Sequence, residues 1–156
     1  MRHLFAVSLV VTMLAVTSVG PTVPAITGSA FAAGSAEPEP SLHKAVRNLE
    51  RGRYSDALAE LKDLALRQPT NADIQNYLGF AYRKTEEWEL AEKHYARALA
   101  LDPDHKGAHD YMGQLFIQTG RLDRAEALLT NLQRLCPQGC AELDTLTAAF
   151  DGAAVY

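Results

Sequence analysis

Apolar residues follow two regimes along the 156 residues of the chain. From Leu4 to Val19 they form a nearly continuous run, broken only by Ser8, Thr12, Thr17 and Ser18. Beyond residue 32 the apolar positions are carried by Ala and Leu, interleaved with Glu, Arg and Gln. Only Val46, Ile74, Ile117 and Val155 are Val or Ile there. Strands favour β-branched side chains and helices favour Ala and Leu, so this second regime predicts an all-α domain.

The helical regime is periodic. Pro69, Pro103 and Pro137 are spaced by 34 residues, as are Ala57, Ala91 and Ala125, and Leu61, Tyr95 and Leu129. Leu78-Gly79-x-x-Tyr82 recurs as Met112-Gly113-x-x-Phe116, and Tyr54, Trp88 and Leu122 share a further phase. A period of this size predicts stacked supersecondary units. Each unit reads as two helices. Gly79 and Gly113 allow close approach of the first helix to its partner, and Ala91 and Ala125 supply a small facing surface. Gly52 and Gly120, with Glu86 between them, mark the tight turn, where positive φ suits glycine. The three prolines end the second helices, and Asp104 is expected to cap the helix after it. The units span about 41–71, 72–105 and 106–139. Leu143, Leu146 and Phe150 then lie on one face of an amphipathic cap at 140–151, and 152–156 is expected to fray as a tail.

These residues resemble the tetratricopeptide repeat family. Leu78-Gly79-x-x-Tyr82, Ala91-x-x-x-Tyr95 and Pro103 follow its pattern closely, and Lys106 to Gly139 follows almost as well. The first unit departs at Asn48, where the family has an aromatic; terminal repeats are often atypical because one face meets water. The resemblance implies a right-handed α-solenoid of three helix-turn-helix units plus the capping helix. It also implies a ligand groove along the inner face of the first helices. By register that face includes Leu42, His43, Val46, Leu49, Asp73 and Ile117. The candidate partner-binding residues on it are Asn76, Tyr77, Phe80, Arg83, Asp110, Tyr111 and Gln114. Tyr77 and Tyr111, one period apart, are expected to stack along the groove, with Phe80 between units. Exposed aromatics in a concavity favour protein binding, of an extended peptide or a helix. The carboxylate clamp of the family's chaperone-tail binders falls here on Leu42, Val46, Tyr77, Gly107 and Tyr111, none of which grips a carboxylate as Lys or Arg would.

The first regime is an address. Arg2, His3 and the amino terminus precede the apolar run, and the segment closes on Ala30-Phe31-Ala32. That order matches a secretory signal peptide at 1–32 cut after Ala32; the alternative, an uncleaved anchor, is disfavoured because sixteen residues fall short of the roughly 20 that span a bilayer. Residues 33–40 read as a flexible linker. Cleavage leaves 124 residues and takes the formal charge from −4 to −5. That acidity argues against a nucleic-acid partner, and the leader places the chain in the envelope or periplasm.

Cys136 and Cys140 flank Pro137-Gln138-Gly139. In an exported protein a disulfide tying cap to stack is the default; a redox pair or metal site is the alternative, and small exported proteins of the resembled family share a Cys-Pro-x-Gly-Cys ending. His105 and His109 stand one turn apart, as a metal-gripping pair can, though packing explains His109. His43 and His94 belong to no pattern and are expected at the surface. No catalytic nucleophile motif or phosphate loop occurs, so neither an enzyme nor a cofactor is expected. The predicted function is a non-enzymatic interaction module, an adaptor or scaffold; the alternatives are self-association through the weak first unit and, behind it, redox or metal handling by the Cys or His pairs.

Overall fold

The structure, a computed structural model, describes residues 41–153. Residues 1–40, expected from the sequence to hold a signal peptide and a linker, and residues 154–156 lie outside the described residues. Seven helices and no strand occur among the described residues: α1 Leu42–Glu50, α2 Tyr54–Arg67, α3 Ala72–Lys84, α4 Trp88–Leu101, α5 Lys106–Gln118, α6 Leu122–Leu135 and α7 Ala141–Ala153. They form an α-solenoid of three helix-turn-helix units closed by α7. The last helix extends beyond Asp151 through Gly152 and Ala153, two residues that the sequence assigns to the tail.

Local chemistry sets the helix ends. Each second helix stops two residues before its proline, at Arg67, Leu101 and Leu135, because proline disfavours helical geometry in the residue before it. The tight turns repeat one device. The N–H groups of Arg53, Glu87 and Arg121 donate to the carbonyls of Asn48, Tyr82 and Phe116 at 2.8, 2.9 and 2.7 Å. This closure requires positive φ one residue earlier: 70° at Gly52, 63° at Glu86 and 71° at Gly120. Ser41, Asn71 and His105 cap the first helices by accepting from the N–H three residues on. Asp104 is therefore not the cap of α5; the His105 ring reaches the orphan N–H of Ala108 instead.

One continuous core runs through the stack, from Ala45 and Leu49 through Leu78, Tyr95 and Phe116 to Leu146. Burying each large apolar side chain contributes about 1.5–3 kcal/mol. The two helix glycines serve different contacts. A Cβ on Gly79 would stand 2.6 Å from the ring of Tyr95 on α4, within its own unit. A Cβ on Gly113 would stand 2.6 Å from Leu146 on α7. Leu129, one period after Tyr95, is smaller, and the cap supplies the side chain that fills the space beside Gly113. Asn48 takes the buried aromatic position of the first unit and accepts from the Arg53 guanidinium at 2.6 Å. The arginine one double period later, Arg121, instead lies 4.5 Å over the ring of Phe116.

Candidate interaction groove

The first helices α1, α3 and α5 pack side by side and line two adjoining concavities. One, of about 230 Å³, is bounded by Val46, Leu49, Glu50, Tyr77, Phe80 and Tyr111. The other, of about 360 Å³, continues along α1 past His43 and Arg47 to Asp73. Tyr77, Phe80 and Tyr111 are each half-buried, so part of every ring stays open to a partner. The ring partner of Tyr111 is Phe80, at 5.0 Å and 52°, with Tyr95 beneath at 6.5 Å. The expected Tyr77–Tyr111 stack is thus replaced by a Phe80–Tyr111 pair bridging two units. Its cause is register: residues three apart on α3 present Phe80, not Tyr77, toward α5.

Asn76, Arg83 and Asp110 are not on the groove surface. Each is 4% exposed, so they form its buried underlayer rather than a contact face. Arg83 lies 5.5 Å from the Phe80 ring centre and 5.8 Å from that of Tyr111. Its guanidinium donates to Gln118 Oε1 at 3.2 Å. The same guanidinium is close enough to influence the Tyr95 hydroxyl without a hydrogen bond of regular geometry, and burial holds that hydroxyl well above its usual range. Gln114, half-buried, donates to Asp110 Oδ1 at 2.8 Å. Burial pushes the Asp110 carboxyl up to about 6 against the opposing Gln114 bond and the Arg83 charge, with Glu142 of the cap pushing the same way as burial. Tyr77 is raised by burial and then by Asp73 and Glu50; Tyr111 is raised by burial and then chiefly by Asp110.

His94, His105 and His109 make structural contacts. His105 Nδ1 accepts from Ala108 N–H, so its Nε2 carries the proton donated to Asp73 Oδ1 at 3.1 Å. His109 Nε2 donates to the Pro103 carbonyl at 2.8 Å. Both Nε2 atoms are thereby engaged. His94 departs from its expected surface position. It is half-buried, stacks on Tyr82 at 5.3 Å and 15°, and bonds Gln75 at 2.8 Å; burial lowers its pKa. Cys136 and Cys140 are joined as a disulfide with Cα atoms 5.8 Å apart, inside the bridging range. Sequence reading missed Glu50 as a groove residue. Its one signal was an acid at a helix carboxyl end, where the helix dipole disfavours it.

The 34-residue geometry has known counterparts. The tetratricopeptide repeat family profile matches residues 72–105, the middle unit. Residues 72–105 form a tetratricopeptide repeat. The chain is 32% identical over 91 residues to the human protein O-mannosyl-transferase TMTC2, a match covering 56% of this chain. The chain spans only 11% of that protein's length and 9% of the cellulose synthase 2 operon protein C of Komagataeibacter xylinus. Among solved structures, the Yersinia enterocolitica type III secretion translocator chaperone SycD, in an alternative dimer, superposes with a TM-score of 0.66 at 20% identity. That match covers 72% of this chain and 88% of SycD. PcrH in complex with the chaperone binding region of PopD gives 0.64 at 17% identity, covering 72% and 87%. At these identities the structural likeness establishes the fold.

Proposed function

We propose that this tetratricopeptide repeat chain is an exported adaptor that binds a peptide or helix of a partner protein in its groove, within the cell envelope. The observation that carries the binding site is the row of half-buried Tyr77, Phe80 and Tyr111 along a concavity. Aromatic side chains there offer large contact area at low entropic cost. The structural neighbour PcrH was solved with a segment of its partner PopD, which supports the same mode of use here. Binding rather than catalysis also fits the polar groups beneath the groove, which are tied to structural partners: Asp110 to Gln114 and Arg83 to Gln118. Export is supported by the apolar run before Ala30-Phe31-Ala32 and by the cysteine pair.

Two measurements test the proposal. Affinity capture from envelope extracts is expected to lose the partner in the Tyr77→Ala/Tyr111→Ala variant; undiminished capture removes these residues from the site. Amino-terminal sequencing of the protein recovered from the cell envelope is expected to begin at Ala33, and a chain starting at Met1 rejects cleavage. Self-association is the second reading, favoured by the SycD dimer and by Leu66, which is 83% exposed on α2.

A further inference from the structure

The acids around the groove are not explained by the packing of its aromatic floor. Glu50 is the last residue of α1, exposed, and without an ion pair or hydrogen bond among the described residues. A carboxylate at a helix carboxyl end opposes the helix dipole, so local stability does not account for it. Asp73, across the same concavity, uses only Oδ1 on His105 and is 64% exposed. Both carboxylates act on the Tyr77 hydroxyl between them. At the far end, Asp110 and Glu142 act in the same sense on Tyr111. Of the facing cations, Lys84 already lies 5.5 Å over the Phe80 ring. Arg83 is buried under the rings and bonded to Gln118. Arg47 stands only at the outer mouth, beside His43. The Tyr77 side of the groove is therefore where the open aromatic surface faces carboxylates, those of Glu50 and Asp73.

Resting on the groove reading above, we infer that the occupant is a cationic apolar segment of a partner protein. Its aliphatic or aromatic side chains cover Tyr77, Phe80 and Tyr111, and its Lys or Arg groups sit at the wall formed by Glu50 and Asp73. Cations also gain from the tyrosine faces. Charges at an exposed rim steer association and reject wrong partners more than they add affinity. An acidic segment meets repulsion at the Glu50–Asp73 wall and finds no Lys or Arg at Leu42, Val46, Tyr77, Gly107 or Tyr111, where a carboxylate clamp would lie.

The test is selection of a random peptide library, displayed on phage, against the protein as purified from the cell that makes it. The expected result is enrichment of sequences that pair apolar residues with Lys or Arg. A synthetic peptide of the enriched sequence should bind more weakly as salt rises. It should also weaken about two- to fivefold for Glu50→Gln, a partnerless exposed site whose substitution leaves the fold intact. Enrichment of acidic or uncharged sequences, or no enrichment, overturns the inference, as does indifference to both salt and Glu50→Gln. The groove reading fails separately: selected peptides that bind the Tyr77→Ala/Tyr111→Ala variant undiminished reject the site itself. Loss of binding in that variant without any charge preference rejects only the cationic occupant.

Discussion

At the tight turn of the middle unit a glutamate stands with φ 63°, where the flanking units place glycine at 70° and 71°. An L side chain in the left-handed region costs about 1–2 kcal/mol, partly offset because glycine has more unfolded-state freedom to lose. Glu86→Gly is therefore expected to stabilise the fold by about 0.5–1 kcal/mol, read as a higher midpoint in urea; an unchanged or lower midpoint would show that the turn is not strained. Asp110 makes a second residue-scale prediction. Its carboxyl, pushed up to about 6 by burial, holds its proton more tightly folded than unfolded. Its contribution to stability is thus largest when it is protonated and declines as pH rises from the ordinary carboxylate range through about 6. Glu92 and Glu60 work oppositely. Despite burial, hydrogen bonds from Arg121 and Arg124, and from Lys44 and the Ser41 N–H, hold them below the usual range. Their contribution is lost as pH falls. Asp110→Asn keeps a partner for Gln114 and removes only the buried charge. The variant should be about 2 kcal/mol more stable than the parent at neutral pH, with the gap closing below the carboxylate range. Parallel pH–stability curves for the two proteins would refute this.

At the scale of elements, the helix limits follow from short-range rules: the three prolines, the caps at Ser41 and Asn71, and the turn glycines. The seat of α7 does not: its amphipathic face marks it as a cap, but the contact between Gly113 and Leu146 is one that local propensity does not link. Leu146 is fully buried, so Leu146→Ala should cost about 2–4 kcal/mol. Hydrogen exchange should rise first along α7, and equal loss of protection in α3 would mean that the cap is not a separable element. The Cys136–Cys140 loop is short, so its reduction should cost about 2 kcal/mol on a chain-entropy estimate. Denaturing alkylation without reductant should label no thiol in protein isolated from an oxidising compartment; two labelled thiols would show that the pair is not oxidised there.

At the scale of the molecule, three units and one cap make a single short groove between the ends of a stack. The first unit opens on the nine-residue α1 against thirteen residues in α3 and α5, which leaves less surface for end-to-end pairing. Sedimentation of the purified protein at micromolar concentration is accordingly expected to show a monomer. A concentration-dependent dimer would favour self-association over the adaptor role.

The sequence alone determined the helical class, the 34-residue period, the turn positions and the face that carries Tyr77, Phe80 and Tyr111. Each of these is a local or periodic property, written in residue spacing and backbone preference. Tertiary structure decided depth and pairing. It placed Asn76, Arg83 and Asp110 beneath the groove, matched Tyr111 to Phe80, turned His105 into a cap, and put Leu146 against Gly113. Those outcomes depend on how far one helix rotates and sinks against the next. That is set by the joint packing of side chains from separate helices, and the periodic pattern constrains it only to within a face.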